Sequence, residues 1–251
     1  MPLVGLAGLF FATALAYSMV GFGGGSTYTA LLVLAGTDFG ILPAISLACN
    51  ITVVAGSTVR FARAGLIRWR RLAGLCAFSI PLAWFGGLVD VPERMFVTLL
   101  GLALLASAIA LVVRPAVSAG PPIRWRRGSE PLLGGATGFL AGLVGIGGGI
   151  FLAPILHLTR WGTAREIAAA AAFFILVNSL AGIAGHAQRL TSHGELSALL
   201  AYWPLLPAVF VGGQIGVWIG RDKASDDWLI RLTALLVLFV ALRLLARAAG
   251  F

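Results

Sequence analysis

Charge is the scarcest property of this 251-residue chain. Asp, Glu, Lys and Arg make up 11% of it, against 59% hydrophobic residues and a mean hydropathy of +0.98. Residues 1–37 carry no charged side chain, and 72–89, 96–113, 131–159, 167–188 and 196–220 are equally free of Asp, Glu, Lys and Arg. Each stretch is close to or beyond the ~20 residues a helix needs to cross a bilayer. Runs of this length exclude a soluble core.

Acids are scarcer still, and their positions exclude more. All nine, Asp38, Asp90, Glu93, Glu130, Glu166, Glu195, Asp222, Asp226 and Asp227, fall in predicted loops or at helix ends. No mid-membrane carboxylate is left to serve as a cation site or proton relay. An intramembrane hydrolase would need paired acids or a His/Asp cluster, so no catalytic residue is predicted and the chain does not read as an enzyme. His157, His186 and His193 have no partner at metal-ligand spacing and read as structural histidines. Cys49 and Cys76, the only cysteines, lie inside predicted helices without a CxxC spacing and read as small packing residues. Neither a metal nor a cofactor is expected. The apolar N-terminus has no Lys or Arg ahead of it, unlike a cleaved signal peptide, and is expected to stay as the first membrane element.

The charge that is present is lopsided, with 18 Lys and Arg, a net +9 and a pI near 11.2. Arg60, Arg63, Arg68, Arg70 and Arg71 form one cluster and Arg114, Arg124, Arg126 and Arg127 another, each between apolar segments. That is the pattern of loops retained on the cytoplasmic side. It makes lipid, not nucleic acid, the expected surroundings.

Glycine is abundant, with 33 residues, and two clusters organise the chain. Gly21-Phe22-Gly23-Gly24-Gly25-Ser26 and Gly145-Ile146-Gly147-Gly148-Gly149-Ile150 lie 124 residues apart, each inside a long apolar segment. Three adjacent glycines cost a helix interior about 1 kcal/mol apiece. A helix broken in hydrocarbon exposes backbone groups that lipid cannot satisfy, so such breaks belong where protein or a water-filled path covers them. Most other glycines read as close helix packing.

Eight apolar elements follow: 3–35, 42–59, 72–89, 95–113, 132–158, 167–187, 199–219 and 228–245. The fold class is therefore an all-α polytopic membrane protein with about eight transmembrane elements. Pro81 with Gly86-Gly87 recurs as Pro207 with Gly212-Gly213, and Ala55-Gly56 as Ala181-Gly182, both at a spacing of 126. With the glycine clusters, these matches predict two homologous four-element repeats, residues 1–113 and 131–251. A basic Pro- and Gly-containing linker, 114–130, joins them. Each repeat opens with a Gly-broken or re-entrant element. If all eight elements cross, 12 of the 18 basic residues lie in the cytoplasm; if the broken elements are re-entrant, the repeats invert and the count becomes 14 of 18. The margin favours inversion.

A glycine run can turn successive N–H groups toward one point, and a half-helix N-terminus after it adds partial positive charge. The expected binding residues are Gly23, Gly24, Gly25, Ser26 and Thr27 in the first break and Gly147, Gly148 and Gly149 in the second. Polar side chains in the helices that follow form a second shell: Asn50, Thr52, Asn178, Ser179 and Gln214. The pattern suits a small anion held without a full positive charge.

Two G-[FI]-G-G-G breaks, each followed by a polar helix with a glycine and then a Pro…Gly-Gly helix, resemble the TauE/SafE (sulfite exporter) family over essentially the whole chain. The resemblance implies a multi-pass protein of the bacterial inner membrane that moves sulfite, organosulfonates or similar sulfur-containing anions. Cys49-Asn50 and Ala171-Ala172 depart from the hydroxyl pairs frequent in that family. The expected function is a secondary transporter, an exporter of small anions by alternating access around the two breaks, with homo-oligomers allowed. The alternatives are a permease for another small solute and a non-transporting membrane assembly protein.

Overall fold

The computed structural model describes residues 2–19, 21–113, 129–193, 196–219 and 227–249. The expected linker lies outside them apart from Ser129 and Glu130, as do Glu195, Asp222 and Asp226. The described residues are all-helical: α1 Leu3–Met19, α2 Gly25–Leu34, α3 Leu42–Arg63, α4 Trp69–Leu88, α5 Glu93–Val113, α6 Ser129–Val144, α7 Gly149–Leu158, α8 Ala164–His193, α9 Leu196–Leu200, α10 Leu205–Ile219 and α11 Asp227–Ala249. Among them, α3, α4 and the 165–192 part of α8 are long and apolar enough to cross a membrane.

Both glycine clusters interrupt their elements. The seventh element is shorter than expected, because 196–204 forms the five-residue α9 and a turn before α10. Pro204 accounts for this: it disfavours helical backbone at Trp203, and a helix can resume only after it. At the start of α8, Thr163 and Glu166 form a capping box: the Glu166 carboxylate accepts from Thr163 N at 2.8 Å, and Thr163 Oγ1 accepts from Glu166 N at 3.3 Å.

Side-chain contacts give the helix directions. Phe10 of α1 stacks on Tyr28 of α2 at 4.7 Å, and a Cβ on Gly24 would sit 3.0 Å from Thr13, so α2 folds back along α1. Gly148 likewise lies beside Ala141 and the Thr137 carbonyl, so α7 folds back along α6. Small residues let backbones touch. Gly134, Gly138 and Gly142 of α6 lie on the backbone of Leu75, Ser79 and Ala83, which sets α6 parallel to α4. Gly212 and Gly216 of α10 lie on Phe11 and Leu15, which sets α10 parallel to α1. Gly101 of α5 meets Leu245 of α11, while Arg94 donates to Ala248 O at 3.2 Å, so this pair is antiparallel.

One end of the bundle gathers Arg60, Arg68 and Arg71 with Trp161, Glu166 and Val217. The other gathers Thr37, Gly40, Val89 and Asp90 with Arg189 and Tyr202. From these ends, α3 and α8 run in opposite directions, as do α4 and α10. The α1–α2 hairpin enters from the Arg189 end and the α6–α7 hairpin from the Arg68 end.

The outer surface is apolar, with Phe85, Phe210, Leu235 and Phe239 more than half exposed. Exposed Trp69 lies at the Arg68 end, Trp218 follows the carbonyl that Arg60 holds there, and Trp203 lies at the Arg189 end. Aromatic residues at both rims of an apolar belt suit a bilayer.

Candidate functional site at two helix breaks

The N-terminus of each half-helix is made by its glycines. Gly24 caps α2 with φ 84° and Gly148 caps α7 with φ 80°, the left-handed region that other residues avoid. In α2, Thr27 N and Tyr28 N both donate to Gly24 O at 3.0 Å; in α7, Phe151 N and Leu152 N both donate to Gly148 O at 3.1 Å. The N–H groups of Gly24, Gly25 and Ser26, and of Gly148, Gly149 and Ile150, have no acceptor among the described residues. Orphan donors at a helix start carry the positive end of its dipole.

The two breaks meet inside the bundle. A Cβ on Gly25 would lie 2.6 Å from Ile146 O and against the Asn50 amide. Asn50, on α3, donates through Nδ2 to Ile146 O at 3.2 Å, while its Oδ1 is buried without a partner. A Cβ on Gly147 would lie 3.0 Å from both Asn50 Nδ2 and Ser179 Oγ, and the Ser179 hydroxyl is also buried and unpartnered. Asn50 thus stands between Gly23 and Gly25 on one side and Ile146 and Gly147 on the other.

The remaining expected residues divide. Ser26 is buried in the first turn of α2, and Thr27 Oγ1 pairs with Tyr17 Oη at 2.9 Å. Asn178 turns its amide nitrogen back to Phe174 O at 2.8 Å and leaves Oδ1 buried and unpartnered. Thr52 is only half-buried and bonds within its own helix to Ala48 O at 2.9 Å. Gln214 is exposed on α10, against Gly56. The geometry therefore groups Gly23, Gly24, Gly25, Ser26, Asn50, Gly147, Gly148, Gly149 and Ser179, with Asn178 one residue from Ser179, and leaves Thr52 and Gln214 outside.

Sequence reasoning passed over Ser46, which donates to Gly25 O at 3.2 Å and accepts from Thr29 Oγ1 at 3.1 Å. The signal was available: Ser46 is four residues before Asn50, on the same helix face. Sequence reasoning also read His186 as merely structural. It is buried on α8, with Nε2 2.7 Å from Gly142 O and Nδ1 unpartnered.

Arginine contacts tie helices together at both ends. Two nitrogens of Arg68 contact Glu166 Oε1 at 2.6 and 2.7 Å; Arg71 donates to Trp161 O at 3.0 Å, and both guanidinium groups lie about 6 Å from the Trp161 ring centroid. At the opposite end, Arg189 donates to Gly40 O at 2.7 Å and approaches Asp90 at 3.5 Å. Beside it opens a cleft of about 410 Å³ lined by Thr37, Asp38, Asp90, Glu93, Phe96 and Arg189 among others. Among the described residues no cluster of His, Cys, Asp and Glu is arranged to hold a metal.

Comparison with known proteins gives the family. The sequence model of the family described as sulfite exporter TauE/SafE matches residues 6–244. A probable membrane transporter protein of Sinorhizobium fredii, y4hK, is 36% identical over 96% of this chain and 98% of its own length. A probable membrane transporter protein of Methanocaldococcus jannaschii, MJ0441, is 25% identical over 94% of this chain and 92% of its own. A third, YunE of Bacillus subtilis, is 29% identical over 41% of this chain and 36% of its own. No solved structure matches the chain. A match of this extent, on a helical chain with an apolar outer belt, identifies a membrane protein that belongs to the sulfite exporter TauE/SafE family.

Proposed function

We propose that the chain is a secondary transporter of small anions, sulfite and organosulfonates first among them, that works by alternating access around the two breaks. One observation carries the reading: two half-helices begin within contact of each other at the centre of an apolar bundle, with their first N–H groups unused. Such ends attract negative charge without a salt bridge. The family description and the relatives' names agree with a transporter.

The contacts support two inverted repeats, each with three crossings and one re-entrant hairpin. In this reading the Arg68 end is cytoplasmic in the inner membrane, by the positive-inside rule. The exporter direction follows the family description. The tight contact of Gly25 with Ile146 and the clamps at both ends make this a closed conformation, so transport requires one clamp to open at a time.

Two measurements test the reading. Purified protein in liposomes should carry sulfite, or one of thiosulfate, sulfoacetate, taurine and small carboxylates, above protein-free background. No flux with any of them sinks the anion reading. Single cysteines introduced as Ala64→Cys and Asp38→Cys, in a chain whose Cys49 and Cys76 are replaced by alanine, should label from opposite sides, Ala64→Cys from the cytoplasm. Labelling of both from one side rejects the inverted arrangement.

A further inference from the structure

We propose that His186 is the proton-binding site of this carrier, the place where a proton joins the anion; the proposal rests on the transport reading above. Three observations lead there. First, the carbonyl that His186 contacts is made available by the break. Gly142 sits in the last turn of α6, and the break at Gly145 stops the chain from supplying the usual donor four residues on. A carbonyl only accepts, so Nε2 carries the hydrogen, and the 2.7 Å contact fixes the tautomer. Nδ1 is then a bare, buried lone pair, with no partner in the protein.

Second, the position is asymmetric. Asn50 and Val54 face Gly23, and Ile175 and Ser179 face Gly147, a spacing of 125 between α3 and α8. The same spacing relates His186 to Phe61, whose ring lies against Gly21 in the first break. The first position thus holds an apolar ring against Gly21, and the second a titratable ring on Gly142 O, in the last turn before the break. A purely structural cap would need only a donor; an imidazole supplies a donor and a proton acceptor together.

Third, His186 is buried behind Arg189, inward of a cleft that it does not itself line. Arg189, three residues on and on the same face of α8, lines the cleft of about 410 Å³ at that end. His186 lies one turn further in. The neighbouring elements bring no other charge to it: α4 contributes Trp84 and Gly87, α6 contributes Gly142, and α3 contributes Leu47 near Gly182, all uncharged. The described part of α7 carries no Asp, Glu, Lys or Arg, nor does α9. Arg189 is the nearest charged group along its own helix, Arg165 and Glu166 lying at the far end, and it is occupied with Gly40 O, Val89 O and Asp90. No carboxylate is placed to balance an imidazolium, so an anion in the cradle is the counter-charge.

In the proposed step, the Arg189 clamp opens, and a proton from water in the cleft then bonds to the Nδ1 lone pair while Nε2–H stays on Gly142 O. Proton and anion enter together, the buried site gains no net charge, and release on the far side returns the neutral imidazole. By linkage, each ligand raises the affinity for the other.

The test uses labelled sulfite and reconstituted protein. Counterflow at equal pH reports binding and reorientation; accumulation driven by a pH gradient alone reports coupling. His186→Gln keeps an N–H donor without a titratable lone pair. It is expected to need more sulfite for counterflow but to sustain it at saturating sulfite, and to lose about tenfold or more of gradient-driven accumulation. Wild-type accumulation in His186→Gln overturns the proposal. So does an equal loss in both assays, shared by His186→Asn, which makes His186 a cap on α6 and nothing more. If wild-type protein moves sulfite in neither assay, the anion reading has failed, and the proton site, which needs that anion as counter-charge, is overturned with it. Where flux is seen, histidine NMR in nanodiscs decides: a His186 Nδ1 that takes its proton at higher pH with sulfite than without it, Nε2–H retained, upholds the site. A titration that sulfite does not move overturns it.

Discussion

Replacing Gly24 or Gly148 with leucine is expected to abolish solute flux while leaving membrane insertion intact. At φ 84° and 80°, both positions hold a conformation that costs an L-residue about 1–2 kcal/mol. At Gly148 the new Cβ would also lie 3.0 Å from Ala141 and Phe174, and at Gly24 3.0 Å from Thr13. Such overpacking adds about 1–3 kcal/mol. The two terms fall on the conformation that aims the free N–H groups, and together correspond to a flux loss of roughly 30-fold to more than 1000-fold. Insertion depends on the apolarity of whole segments, which leucine does not lower. Gly36→Ala is the matched control: its φ of 77° carries the same backbone strain, but nothing lies within 4 Å of the added methyl. Flux in liposomes, beside a fractionation of expressed protein, checks all three. Wild-type flux in Gly24→Leu and Gly148→Leu would remove the breaks from the mechanism.

Asn50→Asp should separate an anion site from a site for a neutral or cationic solute. The Asn50 amide stands between the two half-helix starts, so a carboxylate there occupies the field that would otherwise hold the substrate. Two like charges about 4 Å apart repel by about 4 kcal/mol at an effective dielectric near 20, a loss of roughly 1000-fold. The carboxylate gives up the bond to Ile146 O, but the free N–H groups of the helix starts offset that loss, so the protein should insert and fold while losing anion flux. Sulfite flux in Asn50→Asp equal to wild type would show that the solute does not carry negative charge at this point. Retained flux of a neutral solute beside lost sulfite flux would favour the permease alternative. Asn50→Ser, which removes the amide without adding charge, is expected to lose much less.

The glycine breaks were legible because nothing else explains three adjacent glycines inside an apolar run. Their left-handed caps are the local consequence. Residues of the two halves recur at 124 or 126, and Thr13 with Thr137 fits the same spacing: both hydroxyls bond back one turn, to Leu9 O and Leu133 O. Asn178 was chosen with Asn50 because both amides lie in corresponding helices. In three dimensions the residue facing Gly147 where Asn50 faces Gly23 is Ile175, and Ser179 answers Val54. Helical phase, not residue type, decides which side chain reaches a break. The same reasoning explains Thr52: two residues from Asn50, it points away from Asn50's face, and its hydroxyl finds Ala48 O instead.

The chain's composition and order determined by themselves that this is a helical membrane protein, where it breaks, and that its acids fall outside the long apolar runs. These follow from local rules, since hydrocarbon tolerates neither charge nor unpaired backbone and each residue answers to that separately. Tertiary structure alone decided that the two breaks touch, that Asn50 rather than Thr52 or Gln214 joins them, and that His186 caps a helix cut short by glycine. Those outcomes depend on the relative rotation and direction of helices far apart in the chain, as Asn50 and Ile146 are at a separation of 96 residues. That rotation is set by which glycine stripes let backbones close on each other, a property of the pair and not of either helix.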